Sequence, residues 1–179
     1  LLITHYALPI THYTLATRFA TETDLPEMLH LFARSMRNYE AFPYRLFWIW
    51  KHRQNPFGIS PVLLAVDGER IVGIRAFMRW QFLHEGKLLP AFRAVDTVTD
   101  PDYRGKGIFR LLTLQLIEEL KTTEPPSFIF NTPNKMSRPG YLKMGWQVLG
   151  RAPVYARWVP FAGRFNHSYW LSLEENIRQ

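Results

Sequence analysis

The stretch VTDPDYRGKGIFR, Val98 to Arg110, sets two glycines, a lysine and two arginines between an apolar run and a leucine-rich one. The apolar run LLPAFRAVDTVT before it reads as a strand. The segment GIFRLLTLQLIEEL after it has apolar residues at 108, 109, 111, 112, 116 and 120, which is helical spacing. A strand, a tight basic turn and a helix start together describe an anion site and equally an ordinary strand-to-helix turn with a basic surface. Backbone N–H groups at a helix N-terminus lack partners, and the macrodipole favours negative charge there. Glycine lets the backbone come close to a phosphate. A nucleotide-triphosphate loop is excluded, because Gly107 and Ile108 follow Lys106 where a magnesium-holding hydroxyl is required. A dinucleotide fingerprint fails as well, since Arg110 stands at its third glycine position.

The rest of the chain supplies the frame for this turn. From Thr17, TRFAT predicts a strand and TDLPEMLHLFARSM a helix, with Thr23 or Asp24 as cap, Pro26 in the first turn and an apolar face of Met28, Leu29, Leu31, Phe32 and Met36. A second, aromatic-rich helix is expected between Pro43 and Pro56. PVLLAV and IVGIRAFMRWQF flank the turn DGER, HEGK marks another turn, and SFIF reads as a short buried strand. NKMSRPGYLKMG predicts a short helix, and WQVLG and PVYARWVP closing strands. The order β-α-α-β-β-β-α-β-α-β-β predicts a mixed α/β (α+β) domain, a strongly twisted mixed sheet with helices on both faces. Its expected span is 17–160, preceded by a duplicated extension over 1–16 and followed by a C-terminal tail over 161–179. In that extension ITHYALP is followed by ITHYTLA, too few copies for a solenoid.

Composition narrows the function classes. At 179 residues, with 47% apolar and 21% charged, the chain can bury a core of ordinary size. No run of about 18 apolar residues predicts a membrane span. There are no cysteines, which excludes disulfides and thiolate chemistry and suits a reducing compartment such as the cytoplasm. The six histidines form no HExxH pair, so no metal site is expected. The net charge of +7 is unevenly placed: no acidic residue lies between Glu124 and Glu174. Such a field attracts an anionic ligand and equally describes a basic surface with no particular partner. Scattered arginines without a nucleic-acid motif argue against nucleic-acid binding.

PDYRGKGIF resembles the acetyl-CoA signature of the GNAT N-acetyltransferase superfamily, Arg/Gln-x-x-Gly-x-Gly/Ala. Arg104 and Gly107 match, and Phe109 departs from a position that is usually small. NKMSRPGYLKMGW is similar to the later Asn-x-x-Ala-x-x-x-Tyr-x-x-x-Gly-Phe pattern, through Asn134, Tyr141 and Gly145, with Ser137 and Trp146 as replacements. The resemblance implies acyl transfer from acetyl-CoA to a small-molecule or peptide amine. It implies that Thr97, Val98 and Thr99 pair with the pantetheine arm, that Arg104, Gly105, Lys106, Gly107, Ile108 and Phe109 hold the pyrophosphate, that Asn134 contacts the coenzyme, and that Tyr141 protonates the leaving thiolate. A phenol near pKa about 10 can serve a thiol near about 8.5.

The base is left open among Asp96, Asp100, Glu85 and water. Asp96, in apolar company, is expected to have a raised pKa or to pair with Arg93 or Arg75. The acceptor site is expected to draw on Phe42, Tyr44, Phe47, Trp48, Trp50, Arg53, Tyr155 and Trp158, and its basic surround speaks against polyamines. A CoA-binding module without catalysis and a basic nucleic-acid binder remain the competing readings. The oligomeric state is open, a homodimer among the options.

Overall fold

The computed structural model describes residues 15–35 and 44–150. These fall into two compact units, residues 15–82 with 89–131 and residues 83–88 with 132–150. The duplicated extension up to residue 14 and the strand expected over PVYARWVP lie outside the described residues, while Leu15 and Ala16, expected to close that extension, open the first strand.

The first unit is built on a five-stranded sheet of order β1-β2-β3-β4-β5, with β1 Leu15–Phe19, β2 Val62–Asp67, β3 Arg70–His84, β4 Lys87–Thr99 and β5 Phe128–Phe130. β1 runs antiparallel to β2 and β2 antiparallel to β3, with Thr17 opposite Ala65 and Leu64 opposite Ile74. β5 is parallel to β4 and pairs with it only over Ala91–Arg93. Both expected hairpin turns form. Gly68, Glu85 and Gly86 take positive φ there, the conformation a tight primed turn requires.

β2 and the start of β3 are apolar without alternation because both faces of the sheet are covered. On one face lie helix α1, Leu25–Ser35, and helix α2, Tyr44–Trp48. Leu25, Met28, Leu31, Phe32 and Trp48 pack there against Val62, Leu64, Val66, Ile74, Ala76 and Val98. Each such side chain, fully buried, contributes about 1.5–3 kcal/mol. Helix α3, Ile108–Thr123, covers the opposite face. Gly73 makes that approach possible: a Cβ there would stand 2.5 Å from Ile108 Cγ2 and 3.2 Å from Leu112 Cδ1. Thr17 Oγ1 donates to Gln115 Oε1 at 2.8 Å and ties β1 to the same helix.

Entry into α1 differs from the expected cap by a turn. Thr21 precedes a short 3-10 turn, Glu22–Asp24, and the Asp24 carboxylate accepts from Thr21 N at 2.6 Å and from Thr21 Oγ1 at 2.8 Å. Arg18 closes the arrangement with a bidentate pair to Asp24 at 2.6 and 2.7 Å. Among the described residues the aromatic-rich segment gives α-helix over Tyr44–Trp48 and then widens into a π-turn, Ile49–Arg53, closed by Gln54 N donating to Ile49 O at 2.9 Å.

In the second unit, helix α4 spans Arg138–Lys143. The strand expected over WQVLG does not form. Gly145 before it and Gly150 at its end take positive φ, and Val148 and Leu149 are exposed among the described residues.

Candidate active site

The basic turn is held from behind. Asp100 closes β4 through Asp100 N donating to Val72 O at 2.9 Å, and caps a 3-10 turn, Pro101–Tyr103, by accepting from Asp102 N at 3.0 Å. Its carboxylate is buried and bound to Arg70 at 2.7 Å and Arg34 at 3.4 Å. Burial alone would push that carboxyl up, but the Asp102 N–H and the two arginines hold it below the usual range. Asp100 is therefore a bracket for the turn and is not placed to act as a base. Tyr103 is buried and donates its hydroxyl to Asp67 Oδ2 at 2.5 Å, while Lys106 Nζ sits 4.4 Å above its ring.

From this bracket Gly105 and Gly107 run at φ +78 and +76, with open space where a Cβ would stand. The glycines answer to backbone conformation, and the side that a Cβ would fill is empty. Gly107 opens α3, and no side chain caps that end. Phe109 turns its ring toward the buried Arg75, whose guanidinium is 5.5 Å from the ring centre. The large residue at the usually small position thus engages the face of the sheet that α3 covers. Arg104 reaches back to Ser35 O, the last residue of α1, at 3.5 Å.

β4 runs on beyond its last β5 partner, Arg93, through Thr97, Val98 and Thr99. The Val98 side chain is in the core. The uncapped helix start and the two left-handed glycines can take an anion.

Asp96 takes φ +41 inside β4, a conformation that aspartate tolerates better than most residues. Its carboxylate oxygen Oδ2 lies 2.6 Å from His52 Nε2 and 2.7 Å from Lys51 Nζ. The π-turn explains how two consecutive residues reach one oxygen. A widened turn brings their side chains nearer the same direction than an α-turn does, and such turns recur at functional sites. Burial pushes the Asp96 carboxyl up, but the His52 hydrogen bond and the Lys51 charge bring it below the usual carboxylate range. This corrects two expectations: the carboxyl is shifted down, not up, and its partners are His52 and Lys51, not Arg93 or Arg75. The His52 ring is 1% exposed, lies 4.2 Å from the Trp48 ring, and its Nδ1 has no hydrogen-bond partner.

His52 also lines a cavity of about 530 Å³ between the end of β1, the start of β2, α1 and the π-turn. Its wall is mainly apolar, with Phe19, Met28, Trp48, Ile59 and Val62. Ser60 lines it too, buried and with an unpartnered Oγ. Arg53 and Glu22, both in the lining, pair at 2.6 Å. Of the aromatics expected around an acceptor, Trp48 lines the cavity, Trp50 is exposed and half-exposed Phe47 packs beside it. Phe42, Tyr155 and Trp158 lie outside the described residues.

In the second unit, Asn134 Oδ1 accepts from Met136 N, Ser137 N and Ser137 Oγ at 2.9–3.1 Å, so this oxygen organises the start of α4. Tyr141 is buried, with its ring edge-on to Trp146 at 4.8 Å. Glu85 serves its hairpin turn at positive φ. Among the described residues, no group of three or more His, Asp or Glu is placed to hold a metal, and no helix is long and apolar enough to cross a membrane.

The model of the acetyltransferase (GNAT) domain matches residues 16–149. The chain belongs to the GNAT acetyltransferase family. Among curated protein sequences none is significantly similar. The GNAT fold itself is shared with many solved structures. AAC(6')-Iy in complex with the bisubstrate analogue CoA-S-monomethyl-acetylneamine matches with a TM-score of 0.65 at 13% identity, over 81% of this chain and 99% of that one. A transcriptional regulator from Bacillus halodurans C-125 matches with a TM-score of 0.63 at 22% identity, over 80% and 99%. The aminoglycoside 6'-N-acetyltransferase AAC(6')-IG from Acinetobacter haemolyticus matches with a TM-score of 0.62 at 16% identity, over 80% and 99%. At these identities the likeness is one of fold, and the family supports acyl transfer in general.

Proposed function

We propose that this GNAT domain moves an acetyl group from acetyl-CoA to the nitrogen of an amine by direct attack. The observation that carries the reading is the cradle: two left-handed glycines with open space before an uncapped helix start, next to a strand end with no β5 partner. One similar solved structure is named an aminoglycoside 6'-N-acetyltransferase, and another holds a bisubstrate analogue that joins CoA to acetylneamine, which supports an amine acceptor.

When bound, the coenzyme supplies an acetyl thioester. Backbone N–H groups of Ile108 and Phe109, at the start of α3, would bind its pyrophosphate with help from Arg104 and Lys106. Thr97, Val98 and Thr99 would hold the arm by backbone pairing, and the N–H of Val98 or Thr99 would donate to the developing oxyanion. Asn134 would contact the coenzyme through the part of its amide that the α4 turn does not use. Tyr141, at the tyrosine position of the second motif, would protonate the departing thiolate.

Calorimetry with CoA and thiol release from acetyl-CoA test the reading. Micromolar-range binding and amine-dependent release are expected. CoA binding without turnover against any amine would leave the inactive-module reading standing, and no CoA binding at all would overturn both. Tyr141→Phe is expected to lower kcat by roughly 100-fold or more, with CoA affinity kept, as loss of a general acid does. An unchanged kcat across pH would remove the tyrosine from the mechanism.

A further inference from the structure

We propose that the cavity between β1, β2, α1 and the π-turn binds a small monocarboxylate with an apolar, aromatic-sized body, and that Arg53 holds the carboxylate in place of Glu22. The proposal goes beyond the acetyl-transfer reading and does not rest on it, because no residue of β4 or of the basic turn lines this cavity. The apolar part of the wall is Phe19, Met28, Trp48, Ile59 and Val62. Met28 and Trp48 are buried, whereas Phe19 and Ile59 are 42% and 67% exposed. The wall thus runs from the core to a mouth at the surface. A volume of about 530 Å³ lies in the range of small-molecule sites and suits a body of one or two rings. The Trp48 and Phe19 side chains give such a body aromatic surface to pack against.

The charges of the wall choose the head group. Apart from His52, its charged residues are Arg53 and Glu22, and Arg53 Nη1 lies 2.6 Å from Glu22 Oε1. The two are unequally placed: the Arg53 side chain is 28% exposed and the Glu22 side chain 89%. An ion pair with so exposed a partner contributes little, because water screens it and two long side chains lose freedom in making it. Glu22 can therefore turn into water and leave the guanidinium to a ligand. A ligand carboxylate in its place keeps the charge pairing, and the planar fork of an arginine suits both carboxylate oxygens. Unlike Glu22, the ligand also takes an apolar body out of water. The start of α1 reaches the same wall through Thr21 and Leu25, and a helix N-terminus favours negative charge. Asp24, the other carboxylate at that entry, is bound through both oxygens by Arg18, and Lys51, next to His52, is bound to Asp96. A protonated amine would meet the Arg53 charge instead, and an uncharged head would leave the guanidinium on Glu22.

Calorimetry on the full chain with 4-phenylbutyrate, 4-phenylbutylamine and 4-phenylbutanol tests this, because the three share one body and differ in head group. The carboxylate is expected to bind with a Kd on the order of 100 µM, and about tenfold or more tighter than the other two. Arg53→Gln should erase that preference. Glu22→Gln, which removes the competing carboxylate, should tighten 4-phenylbutyrate by about twofold to fivefold. Neither side chain is buried, so both variants should fold. In NMR spectra the Trp48 indole N–H should shift on titration, and that of Trp50, outside the lining, should not. Added CoA should leave the carboxylate's affinity unchanged. Absence of saturable binding, equal binding of the three heads, preference for the amine, or an affinity unchanged or weakened in Glu22→Gln would each overturn the proposal. Displacement by CoA would overturn it too, by moving the carboxylate to the basic turn. Failure of CoA to bind the wild type would instead sink the acetyl-transfer reading and leave this one standing.

Discussion

The basic turn and the His52–Asp96 pair are two ways of bringing polar groups together. Arg104 to Phe109 forms a surface of backbone: two left-handed glycines, a helix end and cations on exposed or half-buried residues. The dyad is made of side chains in the interior, drawn from a π-turn and from a left-handed residue in mid-strand. A backbone site suits a ligand part that is anionic and invariant, as a pyrophosphate is. A side-chain cluster depends instead on which elements cover one another, and each of its members can change without disturbing the ladder. The two should therefore fail independently.

Gly107→Val gives the largest break. A β-branched residue at φ +76 costs about 1–3 kcal/mol, and its methyls would fill the open side of the cradle. Together these should weaken CoA binding about 100-fold, close to 3 kcal/mol. The same variant should leave the His52 tautomer untouched. A changed imidazole spectrum would show that the cradle and the dyad are one structural unit rather than two.

That contrast also explains what could be read in advance. Arg104, Gly105 and Gly107 lie within four residues, and their meaning is local: positive φ, a strand before, a helix after. The sheet, α1 and α3 were equally legible, because their apolar patterns follow burial on two faces. The dyad was not. His52 and Asp96 are 44 residues apart, and WKHR reads as a basic helix surface when nothing places it over β4. Asp96 stands out in the sequence as a carboxylate among apolar neighbours, but its partners and the downward direction of its shift depend on which helix covers it. WQVLG has strand-like composition, but glycines at positive φ stand before it and at its end, and Val148 and Leu149 are exposed among the described residues.

Gly73→Ala probes the support of the cradle. The added Cβ meets Ile108 Cγ2 at 2.5 Å, and Ile108 is the first residue of α3, branched at Cβ and 2% exposed. It cannot swing aside, so the helix start must lift. Overpacking of this kind costs about 1–3 kcal/mol, and a value near 1–2 kcal/mol is expected in denaturant unfolding. CoA affinity should fall by about threefold to tenfold as the N–H groups move, with the cavity unaffected. Full stability and affinity would mean that α3 is not held to the sheet by that contact.

The smallest effect separates the helix entry from both sites. Asp24 is held at a pKa of about 2 first by its hydrogen bonds from Arg18, against burial, and then by Thr21. A carboxyl whose folded pKa lies below its unfolded value stabilises the fold above the unfolded pKa, and this is lost as pH falls toward the folded one. The window here runs from about pH 4 down to about pH 2. Arg18 is 36% exposed, so solvent screening reduces the contribution to about 1 kcal/mol. Asp24→Asn should lower the unfolding free energy by about that amount at pH 7 and by almost nothing near pH 2, measured in urea at both pH values. Because the pair fixes the entry to α1 and touches neither the cradle nor His52, CoA affinity and the imidazole tautomer should stay where they were. A fall in kcat with this variant at pH 7 would tie the α1 entry, which supplies Glu22 and Leu25 to the cavity wall, to the reaction.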